Sequence, residues 1–120
     1  MEYKHINPEY LENVAGGDLE MIREIVGMFR EQSDEAYSQM LSLLEAKDYN
    51  NLGLLAHKVK SSVAIMGMSD LATMLKKFEL NAREGKDTGS YKSYIERYRD
   101  ETGQALQELD VLIKNYSRNS

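Results

Sequence analysis

Apolar residues recur along most of the chain at three- and four-residue steps, the repeat that gathers them on one side of a helix. The longest such series is Ile22, Ile25, Phe29, Ala36, Met40, Leu43 and Leu44, with Glu, Arg, Gln and Ser filling the other side. It follows Gly16-Gly17, with Asp18 as N-cap, and runs to about Ala46. Before it, Asn7-Pro8 reads as an N-cap and first helical residue, and Tyr10, Leu11 and Val14 give a short apolar face. Lys47 closes the long helix, and Asp48 caps a third segment over about 49–66 that Gly67 terminates. Ser69 is placed as the cap of a fourth helix, whose stripe is Leu71, Leu75, Phe78 and Ala82 with Met74 alongside, ending at Gly85. After a loop over 86–90, a last helix from about Tyr91 to Tyr116 carries Tyr94 or Ile95, Tyr98, Thr102, Ala105, Leu106, Leu109, Leu112, Ile113 and Tyr116. A frayed tail over 117–120 is expected.

No period-2 strand, hairpin signal or internal repeat interrupts this pattern. Short connections imply antiparallel neighbours. The pattern predicts an all-α protein: an antiparallel four-helix bundle with a short extra N-terminal helix laid across one end, one domain spanning 1–120. Met21, Met28, Met40, Met66 and Met74 are read as filler of its core.

Composition narrows the function classes. With 120 residues, 42% of them hydrophobic, the chain is long enough for one real core. A net charge of −5 leaves no basic stripe for phosphates, so no nucleic-acid partner is expected. There is no cysteine, which excludes disulfides and thiolate metal sites and fits the cytoplasm. No apolar run is long enough to span a membrane, and Glu2, Lys4 and His5 interrupt any signal-peptide pattern.

Candidate chemistry reduces to one residue. On a helical wheel of the third segment, Leu52, Leu55, Val59, Val63 and Met66 form a core face roughly opposite His57. His57 therefore points outward, with the small residues Gly53, Ser61 and Ala64 around it and Lys60 one turn along. An imidazole is largely neutral and nucleophilic near pH 7, and a lysine at i+3 is placed to neutralise a phosphoryl group on it. The other histidine, His5, precedes the first helix and is given no role. The chain has no Walker loop, kinase or dinucleotide fingerprint, hydrolase elbow or metal-ligand spacing. Asp34-Glu35 and the Glu108/Asp110 pair are read as solvated surface.

His57, Lys60, Ser62 and Gly67, followed by Leu71, Leu75 and Glu79, resemble the motif of the histidine-containing phosphotransfer (HPt) domain family. The segment from Asn7-Pro8 through Gly16-Gly17-Asp18 to Phe29 is similar to the family's N-terminal half, while the final helix matches only in length and amphipathicity. Ser61 stands where the family usually has glycine, and Val63 is bulkier than usual at its step but turned toward the core. The resemblance implies a phosphorelay intermediate. His57 would be the phosphoacceptor and Lys60 its electrostatic partner, with Ser61 and Ala64 giving clearance and Gly67 ending the helix. Gly53, Leu54, Ser61, Ala64 and Ile65 would form the docking surface, although packing of Leu54 and Ile65 under a neighbouring helix stays open. The implied partners are response-regulator receiver domains and a hybrid sensor histidine kinase. No cofactor is expected on this chain; the magnesium belongs to the receiver. A non-catalytic helical module that binds or sequesters a receiver is the alternative, and a free-standing enzyme is disfavoured by the missing machinery.

Overall fold

The computed structural model describes residues 3–118. Its α-helices are α1 (Pro8–Ala15), α2 (Leu19–Glu45), α3 (Tyr49–Ile65), α4 (Ser69–Glu84) and α5 (Tyr91–Arg118), with a 3-10 turn at Thr88–Ser90 leading into α5. No strand occurs among the described residues. α5 continues as helix through 117 and 118, where fraying was expected; 119–120 of that tail lie outside the described residues.

The helix boundaries follow local chemistry. Asn7, Asp18 and Asp48 each accept a backbone N–H of the helix they open, from Glu9, Glu20 and Asn51, which satisfies donors that no carbonyl inside the helix can reach. α3 ends in a Schellman motif: the Gly67 N–H bonds the Ala64 carbonyl at 2.9 Å and the Met68 N–H bonds the Val63 carbonyl at 3.0 Å. Gly67 takes the left-handed conformation, φ 76°. The same geometry closes α2, where Lys47, at φ 56°, occupies the position glycine usually fills.

Ser69 is not the cap of α4. It is the first helical residue, and Met68 is the N-cap with no side-chain cap bond. The reason is that Met68 serves two helices: its N–H closes α3, and its carbonyl accepts the first bond of α4, from Ala72 at 3.0 Å. Its side chain is buried instead of capping.

α2 packs on α3 and α5, and α4 packs on α3 and α5, so the four long helices close a ring. Arg30 pairs with Asp110 at 2.8 Å and Asp34 with Arg99 at 2.5 Å, so α2 and α5 run in opposite directions. Inside the ring lie Ile22, Phe29 and Met40 of α2, Leu52, Val59 and Val63 of α3, Leu71, Leu75 and Phe78 of α4, and Ile95, Tyr98 and Leu109 of α5. Phe78 tilts against Tyr91 and Tyr94, with ring centroids 5.4 and 5.2 Å away, and ties α4 to the start of α5.

α1 lies on α2 near the C-terminal end of α3, and it buries only Leu11 and Ala15. That shallow seat leaves Tyr10 and Val14 exposed. It also explains two methionines that were expected inside. Met40, Met66 and Met74 are buried, but Met21 and Met28 are exposed, Met28 by 70%. They flank the buried row of α2 on a side that α1 covers only in part.

Of the acidic pairs, Asp34, Glu35 and Asp110 are exposed as expected, and only the reading of Glu108 changes. Glu108 is not merely solvated: its carboxylate accepts the N–H groups of His5 and Ile6 at 3.0 and 3.3 Å. The segment before α1 is thereby held to α5. It is held to α3 as well, where the Asn7 N–H bonds the Met66 carbonyl at 3.0 Å. Asp34 and Asp110 belong to the α2–α5 ion pairs.

Candidate functional site

The core face of α3 fixes the orientation of His57. Leu52, Ala56, Val59 and Val63 are fully buried, so the helix cannot rotate, and the His57 side chain stands out with 58% of its surface exposed. The outward reading of the wheel is therefore correct for His57. Ser61 and Ala64 are exposed beside it, and Leu54 and Ile65 are exposed by 44% and 40%. Lys60 is half-buried on the side facing α4.

Gly53 does not belong to that open face. It is buried against α4, with the position its Cβ would take lying 3.1 Å from the Glu79 carbonyl oxygen and 3.4 Å from the Ala82 Cβ. The wheel places Gly53 beside His57 correctly, but a wheel does not show where the neighbouring helix crosses. α4 crosses there, running opposite to α3, and the missing side chain is what lets it approach.

α4 brings the second component. Its apolar row of Leu71, Leu75, Phe78 and Ala82 is buried as expected, and Glu79 is buried with it. Glu79 Oε1 lies 3.0 Å from His57 Nδ1, across 22 residues of sequence. Around the same carboxylate, Lys60 Nζ lies 3.9 Å from Oε1 and Arg83 Nη1 lies 3.6 Å from Oε2. Only 7% of the Glu79 side chain is exposed. A carboxylate this buried needs charged or hydrogen-bonding partners, and here it has three. An ionised carboxylate accepts hydrogen bonds and donates none, so the proton of the neutral ring is assigned to Nδ1. In that tautomer Nε2 carries the lone pair, on a side chain that is mostly exposed.

Glu79 was named in the sequence motif without a role, and Arg83 was not singled out. The signal for Glu79 was present: a carboxylate one helical turn beyond Leu75, beside Phe78 in an otherwise apolar row. Arg83 follows one turn later on the same side.

On the other flank of His57, Ser62 and Ile65 of α3 join Val14 of α1 and Ile25, Met28 and Phe29 of α2 around an open apolar groove. The site thus has a charged side toward α4 and an apolar side toward α1 and α2. Among the described residues, no cluster of His, Cys, Asp and Glu is arranged to hold a metal ion, and no helix is long and apolar enough to cross a membrane.

The helical bundle thus presents His57 on an open face, bonded from behind by the buried Glu79 carboxylate. A family model described as Hpt domain matches residues 24–118, and the chain belongs to that family. The match takes in α5, which the short motif did not reach, and begins within α2, beyond α1. Hpt domains are phosphocarriers of two-component phosphorelays, acting through a histidine and interacting with receiver domains. No curated protein and no solved structure gives a significant match to this chain.

Proposed function

We propose that His57 carries the phosphoryl group between aspartates of receiver domains, with Nε2 as the phosphorylated atom. The observation that supports this most directly is the bond between His57 Nδ1 and the buried Glu79 carboxylate. It holds the ring in one tautomer, in which Nε2 carries the lone pair. In the transfer, Nε2 attacks the phosphorus of an aspartyl phosphate, the N–P bond forms, and the acyl O–P bond breaks. The carboxylate of the partner's aspartate is released. The Nδ1 proton stays on the ring, and the positive charge that the ring gains is stabilised by Glu79. Glu79 is therefore a positioning residue that acts through His57.

Phosphoryl transfer depends mainly on alignment and on neutralising oxygen charge. Lys60 supplies a cation one turn from His57, and the acyl phosphate and the magnesium are the partner's. Leu54, Ser61, Ala64 and Ile65, continued by the apolar groove toward Met28 and Val14, form the surface on which a receiver docks. Gly67 keeps its structural role at the end of α3, and a hybrid sensor histidine kinase is the source of the phosphoryl group.

The reading is tested by mixing the chain with a phosphorylated receiver domain and following the label. Transfer to the chain supports it. Binding of the receiver without transfer would favour a docking module that sequesters its partner.

A further inference from the structure

α1 has eight residues, too few for a helix to hold its shape unaided, and it buries only Leu11 and Ala15. Its seat on α2 therefore depends on what holds its two ends. At the C-terminal end Gly16 and Gly17, at φ 62° and 78°, form a joint without side chains before α2 begins. The N-terminal end is held by a strap over 5–7. The His5 N–H bonds both oxygens of the Glu108 carboxylate, at 3.0 and 3.2 Å, and the Ile6 N–H bonds Oε1 at 3.3 Å. The Ile6 side chain is buried. The Asn7 N–H bonds the Met66 carbonyl at 3.0 Å, and the Asn7 side chain caps α1.

Backbone N–H groups on an ionised carboxylate make charge-assisted bonds, roughly twice as strong as neutral ones. The strap thus runs from a strong anchor on α5 directly into the cap of α1. The Tyr116 hydroxyl of α5 also bonds Glu12 within α1, a second hold on the same helix. α1 in turn supplies Val14 to the apolar groove that flanks His57, which it shares with Ile25, Met28 and Phe29 of α2 and Ile65 of α3. Val14 is 62% exposed, so its place in that wall is set by where α1 lies rather than by its own packing. Glu108 lies on a different surface, with Gln104, Gln107 and Val111.

We propose that Glu108 is a positioning residue for receiver docking: by gripping the strap it fixes where α1 lies, and through Val14 it sets one wall of the docking groove. This rests on the reading of that groove as the surface on which a receiver binds. Two properties of the site are thereby separate. Affinity for a receiver depends on the Glu108 strap, whereas the reactivity of His57 is set between α3 and α4 and does not.

The probe is a magnesium-loaded receiver domain that passes its phosphoryl group to the wild-type chain, titrated in its unphosphorylated form against full-length variants. Glu108→Ala is expected to raise the dissociation constant about three- to tenfold, part of what a charge-assisted bond is worth, because Tyr116 keeps its hold. Glu108→Gln keeps an oxygen that accepts the two N–H groups and should stay within about threefold of wild type. Val14→Ala and Met28→Ala should each weaken docking. Glu108→Ala should add little to Val14→Ala, since both act through one wall. Two further readouts separate positioning from general loosening. Phosphoramidate labels an imidazole without a partner: its P–N bond breaks, ammonia leaves, and a new N–P bond forms on the ring. Its rate on His57 should be the same in wild type and Glu108→Ala. Hydrogen exchange in Glu108→Ala should speed up at the α1 amides of Glu12 and Val14 and stay unchanged at Val59 and Leu75 in the core.

Equal dissociation constants for wild type and Glu108→Ala, with docking still weakened by Met28→Ala, overturn the inference and leave the docking surface standing. Effects of Glu108→Ala and Val14→Ala that simply add overturn the route through α1. Slower phosphoramidate labelling, or faster exchange at Val59 and Leu75, overturns the positioning role in favour of a loosened bundle. A wild-type chain that no receiver serves, or whose receiver binding ignores both Val14→Ala and Met28→Ala, overturns the docking reading itself, and the inference with it.

Discussion

His57 Nδ1 lies 3.0 Å from Glu79 Oε1, an exposed ring on α3 tied to a buried carboxylate on α4. The Nδ1 side of the imidazole is therefore fixed by the fold, on a side chain that is otherwise mostly exposed. Replacing Glu79 with Gln offers the ring a neutral partner that is able to donate as well as accept. Nitrogen NMR of His57 should show the Nδ1–H tautomer dominant in wild type and a mixture in Glu79→Gln. Transfer should slow in parallel. Identical tautomer populations in the two proteins would remove the positioning role of Glu79.

Lys60→Ala should slow phosphoryl transfer by about tenfold, the scale of one charge-assisted contact, while receiver binding weakens by much less. Stopped-flow transfer rates beside equilibrium binding would separate the two. Equal transfer rates for wild type and variant contradict the electrostatic role of Lys60.

Two glycines should respond in opposite directions. Gly67 has φ 76°, and a Cβ there would lie 2.4 Å from the Asn7 Cβ and 2.6 Å from the Asn7 nitrogen. Gly67→Ala should cost about 2 kcal/mol or more, from left-handed strain plus the clash. Gly103 sits inside α5 with nothing within 4 Å of its missing Cβ. Gly103→Ala should add up to about 1 kcal/mol. Denaturant midpoints measure both.

The two buried tyrosines of α5 make a second contrast. The Tyr91 hydroxyl donates to the Asn81 and Lys86 carbonyls at 2.8 and 2.5 Å and ties down the turn between α4 and α5. The Tyr98 hydroxyl is buried without a hydrogen-bond partner. Tyr91→Phe should lose about 1 kcal/mol, whereas Tyr98→Phe should hold its stability or gain up to about 1 kcal/mol. Burial raises the titration of both phenols, with the Asp34 charge adding to it at Tyr98 and the neighbouring Tyr49 adding at Tyr91. Each therefore holds its proton more tightly folded than unfolded, where it titrates near 10. Above about pH 10 the unfolded chain releases protons that the folded chain keeps, so stability falls as pH rises. Tyr98→Phe should flatten that alkaline loss, and an unchanged slope would contradict the assignment.

The helices were legible in the chain because their signals are local. Three side-chain caps, the glycine ends at Gly16, Gly67 and Gly85, and the three- and four-residue apolar rows all act within a few residues. The orientation of His57 was legible for the same reason, since Val59 and Val63 on its own helix decide it. What depends on a neighbouring helix was not legible. Gly53 looks like an open flank on a wheel and is covered by α4. Met28 sits beside a core row and stays exposed because α1 is short. Glu108 reads as surface acid until the N–H groups of His5 and Ile6 arrive from more than a hundred residues away. Arg83 becomes part of the site only through the α3–α4 crossing.

The central claim is that the phosphoryl group sits on His57. The most direct measurement is transfer from a phosphorylated receiver domain to wild type and to His57→Gln, side by side, with circular dichroism of both. Because the His57 ring is 58% exposed, the substitution should leave the helical signal and melting unchanged. The account predicts a base-stable, acid-labile label on wild type and none on His57→Gln. A label of equal strength on His57→Gln would contradict it, as would a wild-type chain that binds the phosphorylated receiver and takes no label.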